Sequence, residues 1–314
     1  MHRGIWIWVE SRRRRDVAHL DHHEKLCPSP LRGWAKERQE PGVAGWSGIP
    51  VRMALTKLGI RPGQPTIMTD LMLYQPINVP KPIGPDIWIV DGPIVNMSAA
   101  FGMHAPFPTR MTVVKLAQGG LWCHSPIAPD EALFRALDAI GPVQHLVSPN
   151  KLHYTHIAAW KHRYPNAVAW ASPGVRERAR NQRIHVAFDA DLEDATPLAW
   201  RAEMDQLRFR GSKVMEEFVF FHQASRTLVL TDLIENFEAG KLPRMLRWVG
   251  RFGGVLDPDG KTPLDWRSTF RKSIAREGFA SILAWHPQQI ILAHGRCYLA
   301  DGEHELKRAF RWLT

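Results

Sequence analysis

A chain of 314 residues with 45% hydrophobic and 23% charged residues has the length for a sizeable core, and this balance excludes a disordered or fibrous protein. No apolar run approaches the roughly 18 residues of a membrane span, and three widely spaced cysteines exclude a disulfide framework or a paired-cysteine zinc site. A formal charge of +10 invites nucleic acid, but the basic residues are scattered (Arg176 to Arg183, Arg244 to Arg251, Arg267 to Lys272) without aromatic platforms or helix-turn-helix spacing. A solvated basic surface is expected, with neither nucleic acid nor a membrane as partner, in a cytoplasmic protein.

Residues 1–59 read as a basic extension without a packed core, because Pro28-Ser-Pro, Glu40-Pro-Gly and Gly45-Trp-Ser-Gly interrupt any element that begins. Met53 is an alternative natural start, and His22, His23 and Cys27 make at most an adventitious metal site there. A single domain is expected over 60–314. From Thr66 to Pro108 prolines deny any helix, and the long connection Asn96–Pro108, with His104, reads as a lid or a surface excursion.

Strands are predicted over Thr112–Leu116 and Leu121–His124, joined at Gly119-Gly120. A helix over Asp130–Ile140 follows, with apolar residues at helical spacing, then a strand over Val143–Val147. Next come a helix over Thr155–Tyr164, a strand over Ala167–Ala171 and a short helix over Val175–Arg180. Asp189–Pro197 is read as irregular. Strands return near Asp205–Phe209, and Phe218–Asp232 reads as a hairpin turning at Gln223-Ala224-Ser225-Arg226. Helices over Pro243–Phe252 and Trp266–Trp285, a strand over Gln289–Leu292 and a helix over Gly302–Leu313 complete the chain. No GxGxxG, GxxxxGK or Gly-x-Ser-x-Gly run is present, so dinucleotide, P-loop and serine-elbow chemistry are not signalled.

Three strand ends carry metal-competent side chains: His153 beyond Val143–Val147, Asp232 at the end of the hairpin, and His294-Gly295 beyond Gln289–Leu292. Such ends gather at one sheet edge, where imidazole and carboxylate groups suit a divalent ion. Each has a simpler reading: helix capping or packing for His153, a cap on a helical turn Ile234–Phe237 for Asp232, and a polar loop residue for His294. Secondary candidates are His156, three residues after His153, His124 at the end of its strand, and Glu216 or Glu217, which cross-strand pairing sets opposite Asp232. His222 lies at the turn end of the hairpin, roughly 17 Å from Asp232, and is read as structural.

In this order the elements resemble the metallo-β-lactamase fold superfamily, most closely an uncharacterised bacterial branch of unknown function, over roughly Thr66 to Leu313. The resemblance rests on Asp86-Ile-Trp-Ile-Val-Asp-Gly-Pro and Arg110-Met-Thr-Val-Val-Lys-Leu, on Thr231-Asp232-Leu233, and on the terminal strand with His294-Gly295. It implies a four-layer αββα sandwich. It also implies a metal-dependent hydrolase of esters, amides, thioesters or phosphodiesters, with zinc or another divalent ion held by His153, Asp232 and His294 and with Asp232 orienting a water. Where that superfamily carries His-x-His-x-Asp-His, this chain reads Ser148-Pro-Asn150-Lys-Leu152-His153, and only the last histidine remains. The alternative implied is a degenerate, non-catalytic member that holds a small molecule or a partner protein.

Overall fold

Side-chain alternation along the strands sets the architecture. The computed structural model describes residues 73–98 and 104–314, and the side chains of 96–98, 104 and 105 are outside that description. The extension 1–59, with His22, His23, Cys27 and Met53, lies outside the described residues, as does the His104 side chain.

Seven strands form one sheet in sequence order: β1 (Lys81–Gly84), β2 (Ile87–Ser98), β3 (His104–Lys115), β4 (Leu121–His124), β5 (Val143–Ser148), β6 (Val168–Ala171) and β7 (Ala190–Asp191). Neighbours are antiparallel from β1 to β4 and parallel from β4 to β7. The second sheet has the order β11-β10-β9-β8, from β8 (Met204–Phe209), β9 (Glu217–His222), β10 (Thr227–Val229) and β11 (Gln289–Ile291), with β10 and β11 parallel.

Residues of opposite parity go to different layers. Trp122 of β4, Phe218 and Phe220 of β9, Val229 of β10 and Ile291 of β11 pack together between the sheets. Leu121 and Cys123 face outward instead, against α1 (Glu131–Ile140) and α2 (Ile157–Arg163), through Leu133, Phe134, Leu137 and Trp160. Val219, Phe221, Leu228 and Ile290 face outward on the other sheet, against Ala275 and Ile282 of α6 (Lys272–Leu283) and Leu306 and Ala309 of α7 (Gly302–Ala309). Three apolar layers between four layers of structure make the αββα sandwich. The remaining helices are α3 (Val175–Asn181), α4 (Arg244–Gly253) and α5 (Leu264–Arg267). Among the described residues no helix is long and apolar enough to cross a membrane.

Four expectations need correction. The connection Asn96–Pro108 is no loose excursion: β2 and β3 pair along it from Ile94↔Pro108 to Ser98↔His104. Pro106 and Pro108 lie two apart, so their missing N–H groups fall on one edge, and β4 pairs with β3 only from Thr112 onward. The helix read over Trp266–Trp285 is two, α5 and α6, because the Arg271 N–H donates to Gly211 O (2.8 Å) and Ser212 Oγ bonds Thr269 Oγ1 (2.8 Å), drawing 268–271 out of helical geometry. Ile234–Phe237 is not a helical turn; its backbone pairs with Lys261, Gly295 and Leu256. Asp189–Pro197 contains β7, which closes the sheet edge against Trp170 and Ala171.

His145 of β5 is buried among Trp170 and Trp200, and its Nδ1 accepts from Trp170 Nε1 (3.3 Å). Burial lowers its pKa to about 4. In the unfolded chain this histidine takes a proton near pH 6.5, while in the native state it stays neutral to about pH 4. Its contribution is therefore complete above pH 6.5 and lost as pH falls toward 4, at about 1.4 kcal/mol per pH unit. In chelator, urea unfolding is expected to show His145→Gln less stable than wild type at pH 7, with the gap narrowing by about 2 kcal/mol at pH 5. A gap independent of pH would mean that the ring titrates alike in the folded and unfolded chain.

Candidate metal centre

Parallel pairing brings two of the three expected residues to one sheet edge, and the third comes from the other sheet rather than from the same one. Val229 of β10 is the register partner of Ile291 of β11, and Asp232 and His294 each lie three residues beyond that pair. His153 reaches the same edge from the other sheet, on the turn after β5, where the Phe218 N–H donates to Pro149 O (2.8 Å) and joins the two sheets. One ligand atom from each of His153, Asp232 and His294 lies within 4.8 Å of the others. His153 Nε2 stands 3.2 Å from Asp232 Oδ2, and His294 Nε2 stands 3.2 Å from Asp232 Oδ1.

The far nitrogens are anchored. His294 Nδ1 lies 2.8 Å from Pro108 O, which can only accept, so Nδ1 carries a proton. His153 Nδ1 lies 2.5 Å from Ser125 Oγ. The His294 ring is enclosed by Phe107 and Phe237. Gly295 makes the turn: its φ is +91°, and a Cβ there would lie 2.1 Å from Asn236 O.

With its proton on Nδ1, neutral His294 presents an Nε2 lone pair to a carboxylate. That apposition is repulsive unless positive charge lies between or on them, either a proton on the imidazole or a cation in the gap. The electrostatics agree. Burial would raise the Asp232 pKa, but the charge and hydrogen bond of His153, with those of His294, push it well below the usual carboxylate range. Burial would lower that of His294, yet the hydrogen bond and charge of Asp232, with Glu235 and the Pro108 carbonyl, raise it. The donor set, two imidazoles and a carboxylate with second nitrogens tied back, fits a divalent ion.

A polar floor supports Asp232. Glu217, fully buried at the start of β9, accepts the N–H groups of Thr231 and Asp232 (2.8 Å each). Burial and then the Asp232 charge raise its pKa. Asn150 Nδ2 donates to Asp232 Oδ2 (2.8 Å), Thr231 Oγ1 (2.9 Å) and Glu217 Oε2 (3.1 Å). The cross-strand expectation for Glu217 thus holds in position, but its oxygens serve the backbone beneath Asp232. Glu216 faces away and pairs with Arg208.

The secondary candidates separate. His124 is buried with Nε2 unpartnered, stacked on Trp122, and its pKa falls to about 3 through burial, then the His153 charge. His156 precedes α2 with its Nε2 buried and unpartnered, and residues 151–156 are turns rather than helix, so it shares no helical face with His153. His222 bonds Ser225 Oγ (2.7 Å) at the hairpin turn, a structural role.

Sequence reasoning missed two residues. Arg110, buried on β3, pairs with buried Asp91 (2.7 Å) and donates from Nη1 to Leu292 O and Gly295 O (2.7 Å each), clamping the turn that presents His294. The available signal was an Asp and an Arg, each at the end of an apolar strand. Glu235 is half-buried, and burial followed by the Asp232, Asp265 and Glu217 charges pushes its pKa up to about 8, against the pull of His294. No pattern marks it, because it lies in the segment read as a helical turn.

A family model described as a domain of unknown function, DUF4336, matches residues 96–248. No curated protein sequence matches the chain. Among solved structures, a metallo-β-lactamase from Erythrobacter litoralis is similar with TM-score 0.52 and 12% identity, over 77% of this chain and 99% of that one. One from Pontibacter korlensis gives TM-score 0.51 and 12% identity over the same shares. The chain has the metallo-β-lactamase fold.

Proposed function

We propose that this protein is a metal-dependent hydrolase that works with one divalent ion, zinc or a close equivalent, held by His153, Asp232 and His294. The observation that carries this reading is the pair of anchored imidazoles turned onto one buried carboxylate, an arrangement that a cation held between them would satisfy, as would a proton on an imidazole. An ion there would lower the pKa of water toward neutrality and polarise an ester, amide, thioester or phosphodiester. Asp232 would accept a hydrogen bond from the attacking water and orient it. Glu235, whose charge acts on His294, is a further carboxyl group close to these ligands.

One observation favours a binding role without catalysis. Ser148, Asn150 and Leu152 stand where the superfamily motif has two histidines and an aspartate, and Ser148 Oγ instead donates to Asn150 O (3.1 Å) while Asn150 turns its amide onto Asp232. A second ion would meet that NH2 group rather than a ligand, which supports a stoichiometry of one.

Elemental analysis of untagged protein tests the proposal. The expected result is about one ion per chain, with hydrolysis of at least one ester, thioester or phosphodiester probe that chelator abolishes and zinc restores. Well-folded, metal-free protein that binds no added zinc would overturn it. Stoichiometric zinc without hydrolysis of any probe would favour the binding role.

A further inference from the structure

Four of the nine large apolar side chains exposed among the described residues lie on one ten-residue helix, α4. Met245 is 49% exposed, Trp248 65%, Val249 62% and Phe252 75%. They stand at i, i+3, i+4 and i+7, which makes one continuous stripe, and the Trp248 and Phe252 rings stack at 6.5 Å. The helix is already docked by another face. Leu246 packs against the cluster of Phe237, Leu242 and Val255, and Gly250 lies buried against Leu256. The exposed stripe is therefore a second apolar face, not a core face awaiting its place.

A third stripe carries Arg244, Arg247 and Arg251, all exposed. The helix contains no acidic residue, and none of these arginines pairs with a carboxylate among the described residues; Arg247 Nε donates to Leu242 O. Cations thus flank the apolar stripe along its whole length.

We propose that α4 is an interfacial helix that seats this protein on an anionic phospholipid bilayer. Two arguments choose that occupant. A stripe on a ten-residue helix is about 15 Å long and about 10 Å across. That is well short of the roughly 800 Å² per partner of a stable protein interface, whereas a bilayer surrounds an inserted convex ridge on all sides. Charge decides the rest: a second copy would set arginine against arginine, while anionic headgroups complement all three. The sequence expectation of no membrane partner rested on the absence of a spanning run. An interfacial helix needs only a stripe, with Trp and Phe at the depth of the headgroups.

Co-flotation of the full chain with vesicles tests this, using phosphatidylcholine alone and phosphatidylcholine with 30% phosphatidylglycerol, at about 0.15 M salt. Three proteins are compared: wild type, Trp248→Ser/Phe252→Ser, and Arg244→Gln/Arg247→Gln/Arg251→Gln. The expected result is wild-type flotation on the anionic vesicles and little on the neutral ones, with each variant weakened at least about tenfold on the anionic vesicles. The substituted side chains are exposed, so circular dichroism and melting temperature are expected to be unchanged. Absence of wild-type flotation would overturn the proposal, as would equal flotation of wild type and the Trp248→Ser/Phe252→Ser variant. A wild-type dimer in light scattering that this variant converts to monomer would assign the stripe to a second copy instead.

Discussion

Asp232→Asn is expected to weaken zinc binding at least about a hundredfold, because a four-ligand zinc site distributes roughly 10–16 kcal/mol over its ligands, about 3 kcal/mol each. The amide keeps the volume of the carboxylate but withdraws the charge on which both imidazoles converge. With the carboxylate gone, His294 loses the hydrogen bond and charge that do most to raise its pKa, so that pKa is expected to fall in the ion-free variant. Competition titration against a zinc chelator measures the first effect, and the His294 ring resonances followed against pH measure the second. Zinc held as tightly by Asp232→Asn as by wild type would place the ion elsewhere in the chain.

Arg110→Met should destabilise the fold by about 3 kcal/mol, at the low end for breaking a buried pair, because Lys81 Nζ, 2.8 Å from Asp91 Oδ2, remains to share that charge. The carbonyls of Leu292 and Gly295 lose the donor that spans them, so the His294 turn loosens as well. Zinc affinity is expected to fall a further 10–100-fold, the usual cost of losing a group that orients a ligand. Urea unfolding in chelator reads the first effect and zinc titration the second. Destabilisation with unchanged zinc affinity would reduce Arg110 to a purely structural residue.

The sandwich was legible because its strands alternate or run fully apolar in short segments between turn signals, and because helices such as α1 show both a capping aspartate and helical spacing. Asp232 and His294 were legible as ends of apolar strands, but what brings them together is the β10–β11 register, which depends on residues sixty positions apart. Tertiary pairing explains what was misread. The spacing over Trp266–Trp285 is helical, yet Gly211 and Ser212 capture the backbone and side chains at 269–271. The prolines of Asn96–Pro108 signal a loop, yet they sit along an edge where β3 has no neighbour. Arg110 was invisible as a clamp because its partners, two carbonyls near residue 293, carry no side-chain signature.

The two halves of the sandwich meet at the site. His153 comes from the seven-stranded sheet, Asp232 and His294 from the four-stranded one, and that edge is bridged by these side chains, Asn150, the Arg110 clamp and the Phe218–Pro149 and Lys151–Val214 hydrogen bonds. An ion bound there would act as a rivet across the seam, and at a hundredfold excess over its dissociation constant it would add about 2.7 kcal/mol to the folded state. Cellular metal supply would then bear on the lifetime of the protein as well as its activity, since the ion-free form would be less stable by that amount.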